Sequence, residues 1–185
     1  MRLNPRSRVP KSRKRRRGDG RPVRRRHQAG QLDQAASLAQ SEPAAPPPAV
    51  PGVRRAHQFI GDGVRRQAED EVVRLTNEFR VARGLSPLVP SELLRQAARD
   101  HSSEMAMRRF FGHVDALGRT PFDRMREHGY PLPAAENIAH GQLTPASAVE
   151  AWIRSPGHLA NLLLPTAVSL GVGLHNYYWT QNFGY

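Results

Sequence analysis

Two histidines and a glutamate stand out among the side chains that could do chemistry. His113 follows Phe-Gly, Glu136 opens a Glu-Asn-Ile-Ala stretch, and His158 follows Ser-Pro-Gly. Imidazole and carboxylate groups bind zinc, transfer protons and hold polar ligands. Their separations of 23 and 22 residues are far less diagnostic than a His-Glu-x-x-His motif on one helix. Two readings therefore stay open: one shared site, or separate structural roles in which the histidines bond helix ends or loops and the glutamate anchors backbone donors.

The strongly basic character of the chain comes from its first 30 residues. They contain 13 Arg or Lys side chains and a single acid, which accounts for the whole net charge of +12. Residues 31–185 are therefore electrically balanced. A run of like charges cannot bury enough apolar surface to offset the entropy of ordering, and five prolines between residues 43 and 53 favour a stiff spacer. We predict a disordered Arg-rich tail and Pro-rich linker over residues 1–60 and one domain over 61–185.

The basic arm is a candidate for binding nucleic acid or an anionic surface, because cationic side chains release counterions from phosphates without needing a fold. Its first 30 residues contain no Phe, Tyr or Trp, so they offer no platform for base stacking. We therefore expect no specific recognition of nucleic acid, and polyanion binding by the arm is kept as an alternative function.

Targeting and redox signals are sparse. The Arg-rich start resembles the charged region of an export signal, but the apolar region that should follow is missing. No stretch is apolar for long enough to cross a bilayer. The absence of cysteine excludes disulfides and cysteine-bound zinc.

Apolar residues that recur every three to four positions predict two helices. Val72, Leu75 and Phe79 line one face of the first helix, which Gly84 ends. The second helix begins near Ser91, and its apolar stripe includes a histidine, which we interpret as a hydrogen-bonded core residue. The stripe is formed by Leu94, Ala97 or Ala98, His101 and Met105. The opposite face, expected to point toward water, carries Arg95, Arg99 and Arg108.

Capping patterns and a change of period complete the secondary structure. Thr120 and Thr144 each precede a proline, which predicts one short helix running to Gly129 and another that Pro156 and the following glycine end. Residues 168–174 alternate between apolar and small or polar side chains, as in a half-buried strand. A turn at 175–177, a second alternating run and a short strand at 136–139 predict an antiparallel sheet and an α+β fold.

Nine segments together match the pattern of a known family. They are residues 75–80, 84–88, 97–105, 111–113, 129–130, 136–139, 152–161, 171–173 and 178–184. In this order they resemble the CAP superfamily of cysteine-rich secretory proteins, insect venom antigens and plant pathogenesis-related proteins, and most closely its cysteine-free bacterial members. The resemblance implies an α-β-α sandwich with a central antiparallel sheet.

The resemblance also implies a shared cleft. In the family, two histidines and two acids line this cleft, and in some members they bind a divalent metal. His113, Glu136 and His158 match three of the four, while Ser155 stands where the second acid is expected. That change removes a charge and a potential base. Three ligands for Zn²⁺ or another divalent cation would remain, namely His113, His158 and Glu136.

These observations favour a binding module over an enzyme. We expect the cleft of His113, Glu136, Ser155 and His158 to hold a ligand, with a lipid or a cell-envelope component as the candidate class. The alternative is a metal-assisted hydrolase in which Glu136 acts as base. A nucleophilic Ser155 has no support, because no nucleophile-elbow pattern surrounds it. By resemblance, the protein is expected to be extracellular or in the cell envelope.

Overall fold

The computed structural model describes residues 61–185, which contain five helices and four strands. In chain order these are α1 (Asp62–Val81), β1 (Val89–Pro90), α2 (Glu92–Arg108), α3 (Pro121–Glu127), β2 (Pro133–His140), α4 (Pro145–Arg154), α5 (Pro156–Leu162), β3 (Ser169–His175) and β4 (Tyr178–Gly184). The predicted tail and linker, residues 1–60, lie outside the described residues.

The four strands form one sheet in the order β1-β3-β4-β2, which leaves β2 at an edge. The strands β2, β4 and β3 pair antiparallel, and β1 adds a parallel pairing of only two residues. Asn176 and Tyr177 form the turn between β3 and β4, and both have positive φ, 46° and 62°. Positive φ at both central residues gives a tight turn whose twist suits a hairpin. The predicted hairpin is confirmed, and the predicted short strand at Glu136 extends to 8 residues.

Helices cover both faces of the sheet, so the expected α-β-α layering is confirmed. Apolar residues of α1, α4 and α5 join the main core on one face, which we call the α1 side. The helices α2 and α3 cover the other face, the α2 side. Side chains alternate between the faces along each strand. Leu170, Val172 and Leu174 therefore lie on the α1 side, and Gly171 and Gly173 lie on the α2 side.

The prediction that β3 is half-buried is wrong, because α2 lies directly on its two glycines. A Cβ atom built on Gly171 would lie 2.2 Å from the backbone nitrogen of Arg95, and one on Gly173 would lie 2.2 Å from that of Arg99. Both glycines are buried. The missing side chains let the helix backbone approach the sheet, so small residues mark a second buried face of this strand.

The prediction that Arg95 points toward water is also wrong, and Arg99 is only 22% exposed. Arg95 is buried, and its Nη1 donates to Glu69 at 3.1 Å. Arg99 donates to the same carboxylate through Nε at 2.9 Å and Nη2 at 2.6 Å. The fully buried Glu69 also accepts the N–H of Leu174 at 3.2 Å. This carboxylate ties α1 to α2 and β3, while Arg108 is exposed as expected.

The predicted helix starts are confirmed at both threonines. Thr120 and Thr144 each form a capping box before a proline. The helix after Thr120 ends at Glu127, two residues earlier than expected. Pro156 ends α4 but also begins α5, so His158 lies in a helix and not in a loop.

Substituting Gly171 tests the close packing of α2 on the sheet. Gly171→Ala would place a methyl group against helix backbone, which has no side-chain freedom to move away. We expect the free energy of unfolding to fall by about 2 kcal/mol or more. Gly63→Ala is the control, because Gly63 lies in α1 with nothing within 4 Å of its added Cβ, and alanine favours a helix by up to about 1 kcal/mol. Urea unfolding measures both changes, and equal stability of the two variants would contradict this packing.

Candidate functional site

Glu136 lies at the centre of the candidate site, on the α2 side of the edge strand β2. Its side chain is only 1% exposed. His113 Nδ1 lies 2.9 Å from Oε1, and Arg124 Nη2 lies 2.7 Å from Oε2. Because an ionised carboxylate only accepts hydrogen bonds, His113 Nδ1 is the donor. The Asn182 amide adds a contact of 3.2 Å to Oε2 in the orientation that satisfies both of its polar atoms. Both oxygens of Glu136 are therefore occupied by protein groups.

Arg124, from α3, holds the backbone of the segment that carries His113. Its Nη1 donates to the carbonyl of His113 at 2.8 Å and to that of Arg119 at 3.0 Å. The guanidinium is 4% exposed and also pairs with Glu136. One arginine therefore fixes both the carboxylate and the irregular segment between α2 and α3. Sequence reasoning missed Arg124, because an arginine in a short, capped helix carries no signal of burial.

His101, from α2, is the second residue of the site that sequence reasoning did not assign. It is fully buried, and its Nε2 lies 2.9 Å from the carbonyl of Gly112, to which it donates. The same nitrogen lies 3.9 Å from Glu136 Oε1. The interpretation as a hydrogen-bonded core histidine holds, but the bond fixes the residue immediately before His113. The apolar stripe that includes His101 was the available signal.

The ionisation of Glu136 follows from these neighbours. Burial alone would raise the pKa of Glu136, but attraction to His101 and Arg124 and the hydrogen bond from His113 outweigh burial and lower the pKa to about 2. Burial lowers the pKa of His101 itself. Arg124 is a permanent cation, so it stays paired with Glu136 at neutral pH. A carboxylate of such low pKa is a weak base.

His158 approaches the site from the opposite face of β2. Its ring centroid lies 6.5 Å from that of His113. Its own carbonyl accepts a hydrogen bond of 3.2 Å from Asn137, whose side chain lies on the α1 side. Burial, and to a lesser degree His113, lower the pKa of His158 to about 4. At neutral pH this ring is an uncharged imidazole, the form that ligates metals and also accepts hydrogen bonds.

Ser155 lies between α4 and α5. Its backbone bonds to Trp152 and Leu159. Within residues 61–185, no side-chain hydrogen bond or ion pair links Ser155 to the other three predicted site residues. The structure thus brings together His113 and Glu136 in direct contact and His158 beside them.

Of the three metal ligands expected from the sequence, Glu136 is the one whose oxygens are already bonded within the protein. Across residues 61–185, no group of three or more His, Asp or Glu side chains is arranged to hold a metal ion. The three-ligand set expected from the sequence would need a free oxygen on Glu136, and both oxygens accept hydrogen bonds from the protein. A carboxylate behind Nδ1 is, however, the usual support of a metal-binding histidine. His113 and His158 are therefore the side chains whose chemistry is left for binding a metal, with Glu136 behind His113.

Comparison with known proteins identifies the family. The model of the cysteine-rich secretory protein family, CAP, matches residues 73–183, more than half of the chain. The chain belongs to the CAP family. The resemblance in the sequence motifs and the predicted fold class are both confirmed. The matched range includes His113, Glu136, Ser155 and His158.

Two curated relatives come from Bacillus subtilis. The uncharacterized protein YkwD is 42% identical over 118 residues, covering 62% of this chain and 46% of YkwD. The uncharacterized membrane protein YlbC is 36% identical over 121 residues, covering 65% of this chain and 35% of YlbC. The chain thus spans less than half the length of either relative. Between residues 61 and 185, none of the helices combines the length and apolarity needed to cross a membrane.

Solved structures support the same fold. An extracellular protein of Bacillus anthracis that contains an SCP domain matches with a TM-score of 0.63 and 29% identity, covering 65% of this chain and 41% of that one. An outer surface protein of Borrelia burgdorferi matches with a TM-score of 0.57 and 21% identity, covering 62% of this chain and 90% of that one. At that identity, the second match carries information on the fold alone.

The buried ion pair generates a prediction about stability and pH. Glu136→Gln keeps the volume but leaves Arg124 without its anion, so we expect the free energy of unfolding at neutral pH to fall by about 3 kcal/mol. The folded-state pKa lies below the ordinary value of 4.5. The carboxylate therefore stabilises the fold fully above pH 4.5 and loses this effect as the pH falls toward 2. The stability curves of the wild type and the variant should converge in acid.

Denaturant unfolding across this pH range checks the prediction. Glu71→Gln is the matched control, because Glu71 pairs with Arg74 on the exposed surface of α1, where an ion pair contributes little. Curves that stay parallel for the wild type and Glu136→Gln would show that Glu136 is not held as a buried anion.

Proposed function

We propose that this CAP domain is a ligand-binding module whose binding group is the imidazole pair of His113 and His158. The observation that carries the proposal is the double engagement of Glu136, which accepts from His113 and Arg124 and so supports the site from behind. His113 is about one-fifth exposed, and His158 is half-buried. These two rings are therefore the polar groups available to an incoming ligand.

The chemistry of the pair suits a divalent cation such as Zn²⁺, and we propose such an ion as its cofactor. His113 donates through Nδ1 to Glu136, so Nε2 is the nitrogen of this ring that remains to bind a metal. His158 is uncharged at neutral pH and supplies a second imidazole nitrogen. A bound cation would offer its open coordination positions to a polar group of the ligand. Arg124 and Glu136 would hold His113 in place but would not touch the ligand.

The same geometry weighs against hydrolysis with Glu136 as base. Glu136 is almost fully buried and paired with Arg124, and its pKa is lowered to about 2. A general base works best with a pKa near the operating pH and within reach of the proton it removes. Ser155 supplies no second carboxylate in its place. These features support binding over catalysis by this residue.

Metal uptake by the full 185-residue chain tests the proposal. We expect calorimetry to detect zinc binding that His113→Ala and His158→Ala each abolish. His128→Ala is the control, because His128 pairs with Asp100 on the surface, away from this site. Glu136→Gln should weaken binding by about 10-fold, since it leaves both imidazoles but alters the support of His113. Equal zinc uptake by the wild type and by a variant that carries both alanine substitutions would contradict the proposal.

One of the similar structures also supports a location outside the cytoplasm. The Bacillus anthracis protein is described as extracellular. We propose that this chain acts outside the cell or in the envelope, where a lipid or another envelope component would be its ligand. Fractionation of the producing cells should recover the protein in the envelope or the medium. Recovery only with cytosolic markers would contradict this location.

A further inference from the structure

His158 is held by amide groups that lie on the far side of β2. Asn137 is fully buried, and its Nδ2 donates to the carbonyl of His158 at 3.2 Å and to Gln181 Oε1 at 3.1 Å. Asn161 in turn donates through Nδ2 to Asn137 Oδ1 at 2.9 Å. His158 and Asn161 are both in α5, one turn apart, so this helix is bonded to β2 at two points.

The helices α4 and α5 also bond to the outer edge of β2. Asn161 Nδ2 donates to the carbonyl of Glu136 at 3.2 Å, and Trp152 Nε1 donates to that of Ile138 at 3.0 Å. These carbonyls are two residues apart on an edge strand, where no further strand is present to bond them. Side chains of the two helices take the place of that missing strand. The position of α5 along β2 is therefore fixed by specific hydrogen bonds as well as by apolar packing.

None of the amides in this network is placed to meet a ligand. Asn137 and Gln181 are fully buried, and Asn161 is 4% exposed. The network ends at Thr76 in α1, whose hydroxyl accepts from Gln181 Nε2 at 2.9 Å. Because each of the three amides has its partners inside the protein, Asn137 and Asn161 can affect the site only indirectly: Asn137 through His158, and Asn161 through Asn137 and the backbone of Glu136.

We propose that Asn137 and Asn161 are positioning residues that set the separation between the rings of His113 and His158. Neighbouring residues of a strand point to opposite faces, so Glu136 holds His113 from the α2 side while Asn137 holds His158 from the α1 side. One edge strand thereby fixes both halves of the imidazole pair. That this ring separation matters for binding rests on the proposed function. The role of the two asparagines in setting the separation does not depend on that function.

Two isosteric substitutions in the same network separate positioning from general stability. Asn137→Asp removes the donor to His158 and places a carboxylate oxygen against its carbonyl. Thr76→Val removes the hydroxyl at the other end of the network and leaves the bond between Asn137 and His158 in place. Both variants should unfold at lower temperature, because each leaves a buried polar group without a partner. Only Asn137→Asp should move His158.

Crystal structures and zinc titrations of the full chain decide the matter. In Thr76→Val, the ring centroids should stay 6.5 Å apart, as in the wild type. In Asn137→Asp, this separation should change and zinc affinity should fall by about 10-fold or more. If Asn137→Asp does not fold, Asn161→Ser, which shortens the donor beyond reach, takes its place with the same expectation.

An unchanged ring separation in the asparagine variant, or an equal displacement in Thr76→Val, would overturn the positioning role. A wild type that binds no zinc would instead contradict the proposed function. The ring separations in the crystal structures would still decide the inference in that case.

Discussion

The buried ion pair of Glu136 and Arg124 is the interaction on which the rest of the site depends. A carboxylate removed from water needs a partner and further hydrogen bonds to offset its lost hydration. Arg124 and His113 supply them, and Arg124 also bonds the backbone that carries His113. The ionised Glu136, the orientation of the His113 ring and the path of the segment between α2 and α3 therefore depend on one another. Removing either charge would leave the other buried and unpaired.

The edge position of β2 explains how two distant histidines meet. An interior strand is flanked on both sides, whereas an edge strand leaves one side open for segments that come from opposite faces of the sheet. The segment with His113 arrives from the α2 side, and α5 with His158 arrives from the α1 side. The side chains of Trp152 and Asn161 bond the open edge and also place α5. The contacts that cover the open edge of β2 therefore also bring His158 to the site.

Local patterns in the sequence predicted the elements well but did not predict charged contacts between them. The capping boxes at Thr120 and Thr144 follow from neighbouring residues, so they can be read directly. Arg95 was assigned to water because arginine is usually exposed, and only its partner Glu69, 26 residues earlier in the chain, explains its burial. The alternation of residues 168–174 places Gly171 on the exposed side of a strand, and the approach of α2 that buries it is a tertiary contact absent from that pattern.

In the site, too, the sequence predicted individual residues but did not predict the contacts between elements. His113, Glu136 and His158 were found from their chemistry and from the family resemblance, and the structure places them near one another. Arg124 and His101, which hold Glu136 and the backbone before His113, were not assigned to the site. A supporting residue acts through contacts that join different elements, and sequence spacing does not encode such contacts.

The most direct test of this account is a carboxyl carbon NMR titration of Glu136 in the full chain. Glu136 is a buried anion that orients His113, so its signal should show no protonation down to pH 4.5 and should titrate only near pH 2. A Glu136 carboxyl that titrates at or above its ordinary value of 4.5 would contradict the account.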